Sequence, residues 1–194
     1  MGAIALVAGL ILAGGKSSRM GSDKALKRWQ GVPLILRVYE AIAPVVTQVS
    51  LLTPWPERYC EILPPACQRL QELEPHQGPA FAIAQGLAQI QAPWLLVVAC
   101  DLPCLDSGML IRWREKLADL SPHTQALIPR WGERWEPLCG FYRGDLGPKL
   151  GAYLDQGGRS LQGFFNAIEV QALGIEEADL SHFHNCNTPA DLEE

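Results

Sequence analysis

The chain has 194 residues, 48% of them hydrophobic, and sixteen Lys and Arg against twenty-one Asp and Glu give a formal net charge of −5. That length and apolar share supply one core able to fold without staples, so a single domain is expected over residues 1–194. The acidic balance provides no global basic field, which disfavours DNA or RNA as a partner and leaves room for a small anion held by a local basic cluster.

The first candidate element is AIALVAGLILA, residues 3–13. Its eleven residues fall short of the ~20 needed to cross a bilayer, and no Lys or Arg precedes it as a signal peptide requires. A buried strand that delivers a glycine loop at its C-terminal end is the better reading, and no membrane partner is expected. From Val32 to Ala43 the apolar residues fall at helical spacing, with Pro33 where a first helical residue tolerates a missing N–H. Val49 to Leu52 reads as a short strand, and Pro79 opens an amphipathic helix carrying Ile83, Leu87 and Ile90 on one face.

WLLVVAC, residues 94–100, is a continuous apolar run suited to a strand buried on both faces. Ser107 is placed to cap a helix bearing Leu110, Trp113, Leu117 and Leu120. Gln125 to Trp131 and Trp135 to Tyr142, joined across Gly132, read as extended segments. Helical patterns return at 145–155 and 160–168, a strand is expected at 169–175, and Thr188, Pro189 and Asp191 mark a last helix start. Alternating strands and helices predict an α/β fold with a largely parallel sheet. The lapse in alternation around 131–142 predicts one antiparallel strand within a mixed sheet.

The six cysteines, Cys60, Cys67, Cys100, Cys104, Cys139 and Cys186, include no CxxC pair and no Cys/His spacing of a zinc site, so free thiols in a reducing cytosol are expected, and with them a cytoplasmic location.

Ligands of open α/β sheets bind outside the carboxyl ends of the strands, and two such ends are chemically loaded. After the first strand comes the loop of Gly14, Gly15, Lys16, Ser17, Ser18, Arg19, Gly21, Asp23 and Lys24. Its GGKSS resembles the end of GxxxxGK[ST], but the opening glycine that motif needs would fall on Leu10, so the phosphate-loop template fails by one residue. The glycines let backbone amides approach an anion, and Arg19 and Lys24 can neutralise phosphate oxygens. The second loaded end is Asp101 in VVACDLP. An Asp at a strand end beside a phosphate site suits Mg²⁺, which takes one or two carboxylates and completes its octahedron with phosphate oxygens and water.

Each feature also has a plainer reading: a glycine pair as a turn, Asp101 as a strand terminator or cap, Lys16 and Lys24 as solvated charges. Their joint occurrence at two strand ends favours a nucleotide site. His76, His123, His182 and His184 take the surface or packing reading.

LAGGKSSRMGSDKAL, residues 12–26, resembles the signature LAGGxSxRMGxDKxL of molybdenum cofactor guanylyltransferases, the MobA family. GVPL at 31–34, QGPAFAIAQGL at 77–87, CDLPCL at 100–105, EPLCGFY at 136–142 and NCNTPADL at 185–192 follow in the order that family shows. The resemblance implies a Rossmann-like nucleotidyltransferase fold, as in nucleotide-diphospho-sugar transferases, with three layers around a mostly parallel mixed sheet. It implies transfer of GMP from GTP to molybdenum-molybdopterin with release of pyrophosphate, with Mg²⁺ as cofactor and molybdoenzymes or their chaperones as further partners. Carried over position by position, Arg19, Lys24 and Asp101 would be catalytic. Leu12, Ala13, Gly14, Gly15, Lys24 and Asp101 would bind GTP, and Asp101 would hold the metal.

Glu72 stands where the family has an Asp near the nucleotide. A family Asn after the second strand falls on Leu52 and is not carried over, and GPLAG is GPAFA here. Arg159, Asn185 and Asn187 resemble acceptor-side residues. A pterin cytidylyltransferase, a sugar-phosphate nucleotidyltransferase and a non-catalytic nucleotide or cofactor carrier remain as alternatives, with LAGG rather than LAAG favouring guanine over cytosine.

Overall fold

The computed structural model describes residues 5–14, 23–183 and 186. Gly15, Lys16, Ser17, Ser18, Arg19, Gly21, His184, Asn185 and Asn187, and the helix expected from Thr188, lie outside them.

The strands are β1 (Val7–Leu12), β2 (Arg28–Trp29) and β3 (Val32–Pro33), then β4 (Val49–Thr53), β5 (Gln68–Gln71), β6 (Trp94–Ala99), β7 (Ala126–Trp131), β8 (Arg134–Trp135), β9 (Cys139–Arg143) and β10 (Val170–Gly174). The helices are α1 (Leu34–Ile42), α2 (Pro79–Gln89), α3 (Ser107–Glu115), α4 (Gly147–Asp155) and α5 (Leu161–Phe164). Eight strands form the main sheet in the order β10-β7-β9-β6-β1-β4-β5, with β8 paired to β7, while β2 and β3 make a separate hairpin. β1 runs parallel to β4 and β6, β4 to β5, and β7 to β10. β9 lies antiparallel to both β6 and β7, and the two-residue β8 is antiparallel to β7, so two reversed strands stand where one was expected near 131–142.

β1 can be apolar on both faces because both are covered. Ile11 joins one core with Ile35, Val38 and Ile42 of α1 and Met109, Leu110 and Trp113 of α3. Leu10, on the opposite face, joins a second core with Ile83 and Leu87 of α2, Leu150 and Leu154 of α4 and Phe164 of α5. Three layers result, and truncating a fully buried leucine such as Leu10 to Ala should cost about 2–5 kcal/mol. Gly86 sets how closely α2 approaches, since a Cβ there would lie 2.2 Å from Leu10 Cδ2.

Several boundaries differ from the sequence reading. Helix α1 begins at Leu34, because Val32 and Pro33 pair with Trp29 and Arg28 across a turn in which Gln30 and Gly31 have φ of 49° and 80°. The cap of α3 is Asp106, whose Oδ2 accepts the Met109 N–H at 2.6 Å, whereas the Ser107 hydroxyl donates to the Ala41 carbonyl at 2.8 Å. The stretch from Trp135 to Tyr142 is broken between β8 and β9, where the Cys139 N–H turns back to the Glu136 carbonyl at 3.3 Å. Strand β5 has no counterpart in the sequence reading. Among the described residues, no helix is long and apolar enough to cross a membrane.

Candidate active site

The carboxyl ends of β1, β4, β5 and β6 are laced together before any side chain is considered. The Ala13 N–H donates to the Leu52 carbonyl at 3.0 Å, Cys100 N–H to Leu12 at 3.2 Å, and Glu72 N–H to Thr53 at 2.8 Å. Beyond the end of β6, Cys186 N–H donates to the Asp101 carbonyl at 3.1 Å. Main-chain bonds thus fix where Leu12 to Gly14, Glu72 and Asp101 emerge.

A side chain at Gly14 would have to displace its neighbours. A Cβ there would lie 2.2 Å from Glu72 Oε2 and 2.9 Å from Pro54 Cδ. Glycine therefore admits the Glu72 carboxylate against the β1 loop. Glu72 is only 6% exposed, and burial raises its carboxyl above the usual range. Ala13, 3% exposed, has its N–H committed to Leu52. Leu52 is itself buried in the second core, where it cannot take the place of a ligand-contacting Asn.

Lys24 opens a turn of 3-10 helix, Lys24–Leu26, capped by Asp23 and anchored by the buried Ala25. Its Nζ lies 2.5 Å from Asp101 Oδ2, and both side chains are largely shielded, at 14% and 20% exposure. Asp101 Oδ1 is buried with no hydrogen-bond partner, an arrangement that is costly unless something else meets that oxygen. A divalent cation fits this donor. The described residues hold no cluster of three or more His, Cys, Asp or Glu, and a lone carboxylate suits Mg²⁺, whose remaining positions go to phosphate and water.

Arg159 belongs to a different setting. Its Nη1 donates to the carbonyls of Leu154, at 2.9 Å, and Gly158, at 2.6 Å, closing the end of α4. The guanidinium also stacks 5.0 Å from the Phe81 ring near the start of α2.

The cysteines near the site are not poised as nucleophiles. Cys60, Cys67, Cys100, Cys104 and Cys139 form no disulfide, and burial pushes the Cys100 thiol, beside Asp101, well up. His182 Nδ1 meets the Cys104 carbonyl at 2.7 Å, a structural tie.

Two residues absent from the sequence-derived site also meet here. The Tyr59 hydroxyl donates to Asp23 Oδ2 at 2.8 Å, and Arg58 approaches the same oxygen at 3.7 Å. Asp23 stands in the opening loop, but nothing local to PERY connects Tyr59 to it. That contact arises only when β4 pairs with β1.

A three-layer α/β sheet with glycine, lysine and carboxylates gathered at the carboxyl edge of its parallel strands is a nucleotidyltransferase architecture. The model of the MobA-like NTP transferase domain matches residues 9–170, and the chain belongs to that family. It is 44% identical over 94% of its length, and 87% of the relative's, to a "Probable molybdenum cofactor guanylyltransferase" of Trichormus variabilis. It is 32% identical, over 93% and 89% of the two chains, to the "Molybdenum cofactor guanylyltransferase" of Pseudomonas aeruginosa strain LESB58. The molybdopterin-guanine dinucleotide biosynthesis protein A of Archaeoglobus fulgidus shares the fold with a TM-score of 0.79, covering 96% and 95% of the chains at 23% identity.

Proposed function

We propose that this chain transfers GMP from GTP to the terminal phosphate of molybdenum-bound molybdopterin and releases pyrophosphate. The observation that carries the reading is the Lys24–Asp101 pair, 77 residues apart in sequence and 2.5 Å apart in space, at the edge where the β1 glycine loop ends.

In this reading an acceptor phosphate oxygen attacks the α phosphorus of GTP in line. The new P–O bond forms as the bond between the α phosphorus and the α,β-bridging oxygen breaks, and the electron pair leaves on that oxygen as part of pyrophosphate. A phosphate monoester is already mostly dianionic near neutrality, so no side chain has to take a proton from the nucleophile. Both reactants are anionic, and the protein's work is to neutralise and align them.

Asp101 would hold Mg²⁺, with the otherwise unmatched Oδ1 as its donor; the ion, when bound, would polarise the α phosphate. A Lys ammonium has three donors, enough to keep Asp101 and grip a phosphate oxygen together, so Lys24 would meet charge growing on the leaving group. Arg19 would share that task. Leu12 to Gly15 would contact the nucleotide, and Glu72 offers a carboxylate to the N–H groups of a guanine edge. On the acceptor side Arg159, Asn185 and Asn187 would contribute; the bonds that tie down Arg159 all leave from Nη1.

Purified chain incubated with GTP, Mg²⁺ and molybdenum-molybdopterin should release pyrophosphate and form the guanine dinucleotide. Pyrophosphate release with CTP in place of GTP would give the reaction to the cytidylyl alternative, and binding without turnover would give it to the carrier.

A further inference from the structure

Tyr59 closes the 3-10 turn Pro56–Tyr59 that follows β4. It is fully buried, at 0% exposure, and its ring packs in the core beneath α1 and α3. A ring filling that space could be Phe. The hydroxyl instead reaches out of the core to Asp23 Oδ2 at 2.8 Å. Burying a hydroxyl costs free energy unless a partner is waiting, and a carboxylate is among the strongest neutral-donor partners available.

Asp23 passes the restraint on. Its other oxygen, Oδ1, accepts the Ala25 N–H at 3.2 Å, which caps the Lys24–Leu26 turn, and Ala25 is 1% exposed. Lys24 is thereby held between a capped residue and a buried one, and its ammonium lands on Asp101. Arg58 also approaches Asp23, at 3.7 Å, but its side chain is 44% exposed and such pairs contribute little. Among the described residues, the strong restraint on Asp23 from outside its own turn is the phenol.

We propose that Tyr59 is a positioning residue for nucleotidyl transfer: through Asp23 it holds Lys24 at the place where the triphosphate is gripped. Tyr59 itself touches no substrate. The inference rests on the guanylyltransferase reading for the identity of the nucleotide, but the chain from Tyr59 to Lys24 would serve any triphosphate. Burial, then the Asp23 carboxylate, push the Tyr59 hydroxyl far above its usual range, so it remains a donor across the working pH.

Tyr59→Phe keeps the ring and deletes one oxygen. The full chain with Mg²⁺ is titrated with GTP, ATP, CTP and UTP, comparing wild type, Tyr59→Phe, Lys24→Ala and the double variant, with a thermal melt of each. If Tyr59 acts through Lys24, Tyr59→Phe weakens triphosphate binding about tenfold in the wild-type background and less than twofold once Lys24 is gone. Turnover, where present, falls in the same pattern. A residue serving only the core would lower binding by the same factor in both backgrounds, and that result overturns the proposal, as does a Tyr59→Phe variant that binds like wild type.

Should Tyr59→Phe fold poorly, Asp23→Ala breaks the same link from the surface side and must show the same dependence on Lys24; equal losses in both backgrounds reject the inference. Wild type binding another triphosphate in preference to GTP, with the Tyr59 dependence intact, sinks the guanine reading alone. No binding of any triphosphate sinks both.

Discussion

The edge where β1 and β6 end and the corner where α4 ends both bring a basic side chain to a strand or helix terminus, and they use it differently. Lys24 is shielded and faces a carboxylate whose second oxygen has no partner. Arg159 is exposed, and its Nη1 is spent on two backbone carbonyls. The first arrangement leaves a buried carboxylate oxygen unmatched at some cost to folding; the second lowers the energy of the fold directly. Charge alone does not mark a working residue, and what its hydrogen-bonding atoms already hold is the better guide.

The sharpest way to break this contrast is Asp101→Ala. It should abolish Mg²⁺-dependent pyrophosphate release, a loss on the order of 10³-fold, with a melting curve close to wild type; retained turnover at saturating Mg²⁺ would end the metal assignment. Next comes Gly14→Ala, whose new methyl meets Glu72 Oε2 and Pro54 Cδ. GTP binding should weaken about tenfold as the carboxylate is displaced, and unchanged binding would mean that Glu72 moves aside freely.

Glu72→Gln sharpens the comparison through pH. Burial lifts the Glu72 carboxyl above its ordinary 4.5, so the folded chain holds this proton more tightly than the unfolded chain does. Its contribution to stability is therefore complete below 4.5 and is lost as pH rises through the raised value. Gln does not ionise, so the thermal midpoint of the variant relative to wild type should climb toward neutral pH while GTP binding weakens several-fold. A midpoint difference that stays flat with pH removes the buried-carboxylate account.

The smallest effect is expected from Arg159→Ala. The cap of α4 and the stack on Phe81 should cost about 1 kcal/mol in unfolding experiments, with turnover within about threefold and any change confined to the acceptor KM. A hundredfold fall in turnover would place Arg159 beside Lys24 and erase the contrast.

How far the sequence foretold this molecule follows from where each signal lies. β1 and β6 are legible because strands covered on both faces are apolar throughout. β5 is not: QRLQ lies at the sheet's edge and buries only Leu70 well, so no period shows. Asp106 and Ser107 are adjacent residues able to cap, and the choice depends on the Ala41 carbonyl, distant in sequence, which draws the serine away. Gln30 and Gly31 form a hairpin turn without the Asn-Gly pair that advertises one. At the site, Lys24 and Asp101 stand out through motif and strand-end position. Tyr59 does not, since its partner lies 36 residues away. The closeness of Glu72 to Gly14 likewise follows from β4 seating β5 in parallel register, which no local pattern encodes.

Strand β9 is bonded to β6 on one side and to β7 on the other. The main-chain ladder therefore runs unbroken from β10 to β5, and the two flanks of the sheet have no hinge between them. Substrates must enter and products depart over strand ends that keep their spacing. Amide protons along β6 and β9 should accordingly exchange only with global unfolding, and bound nucleotide should slow all of them by one common factor.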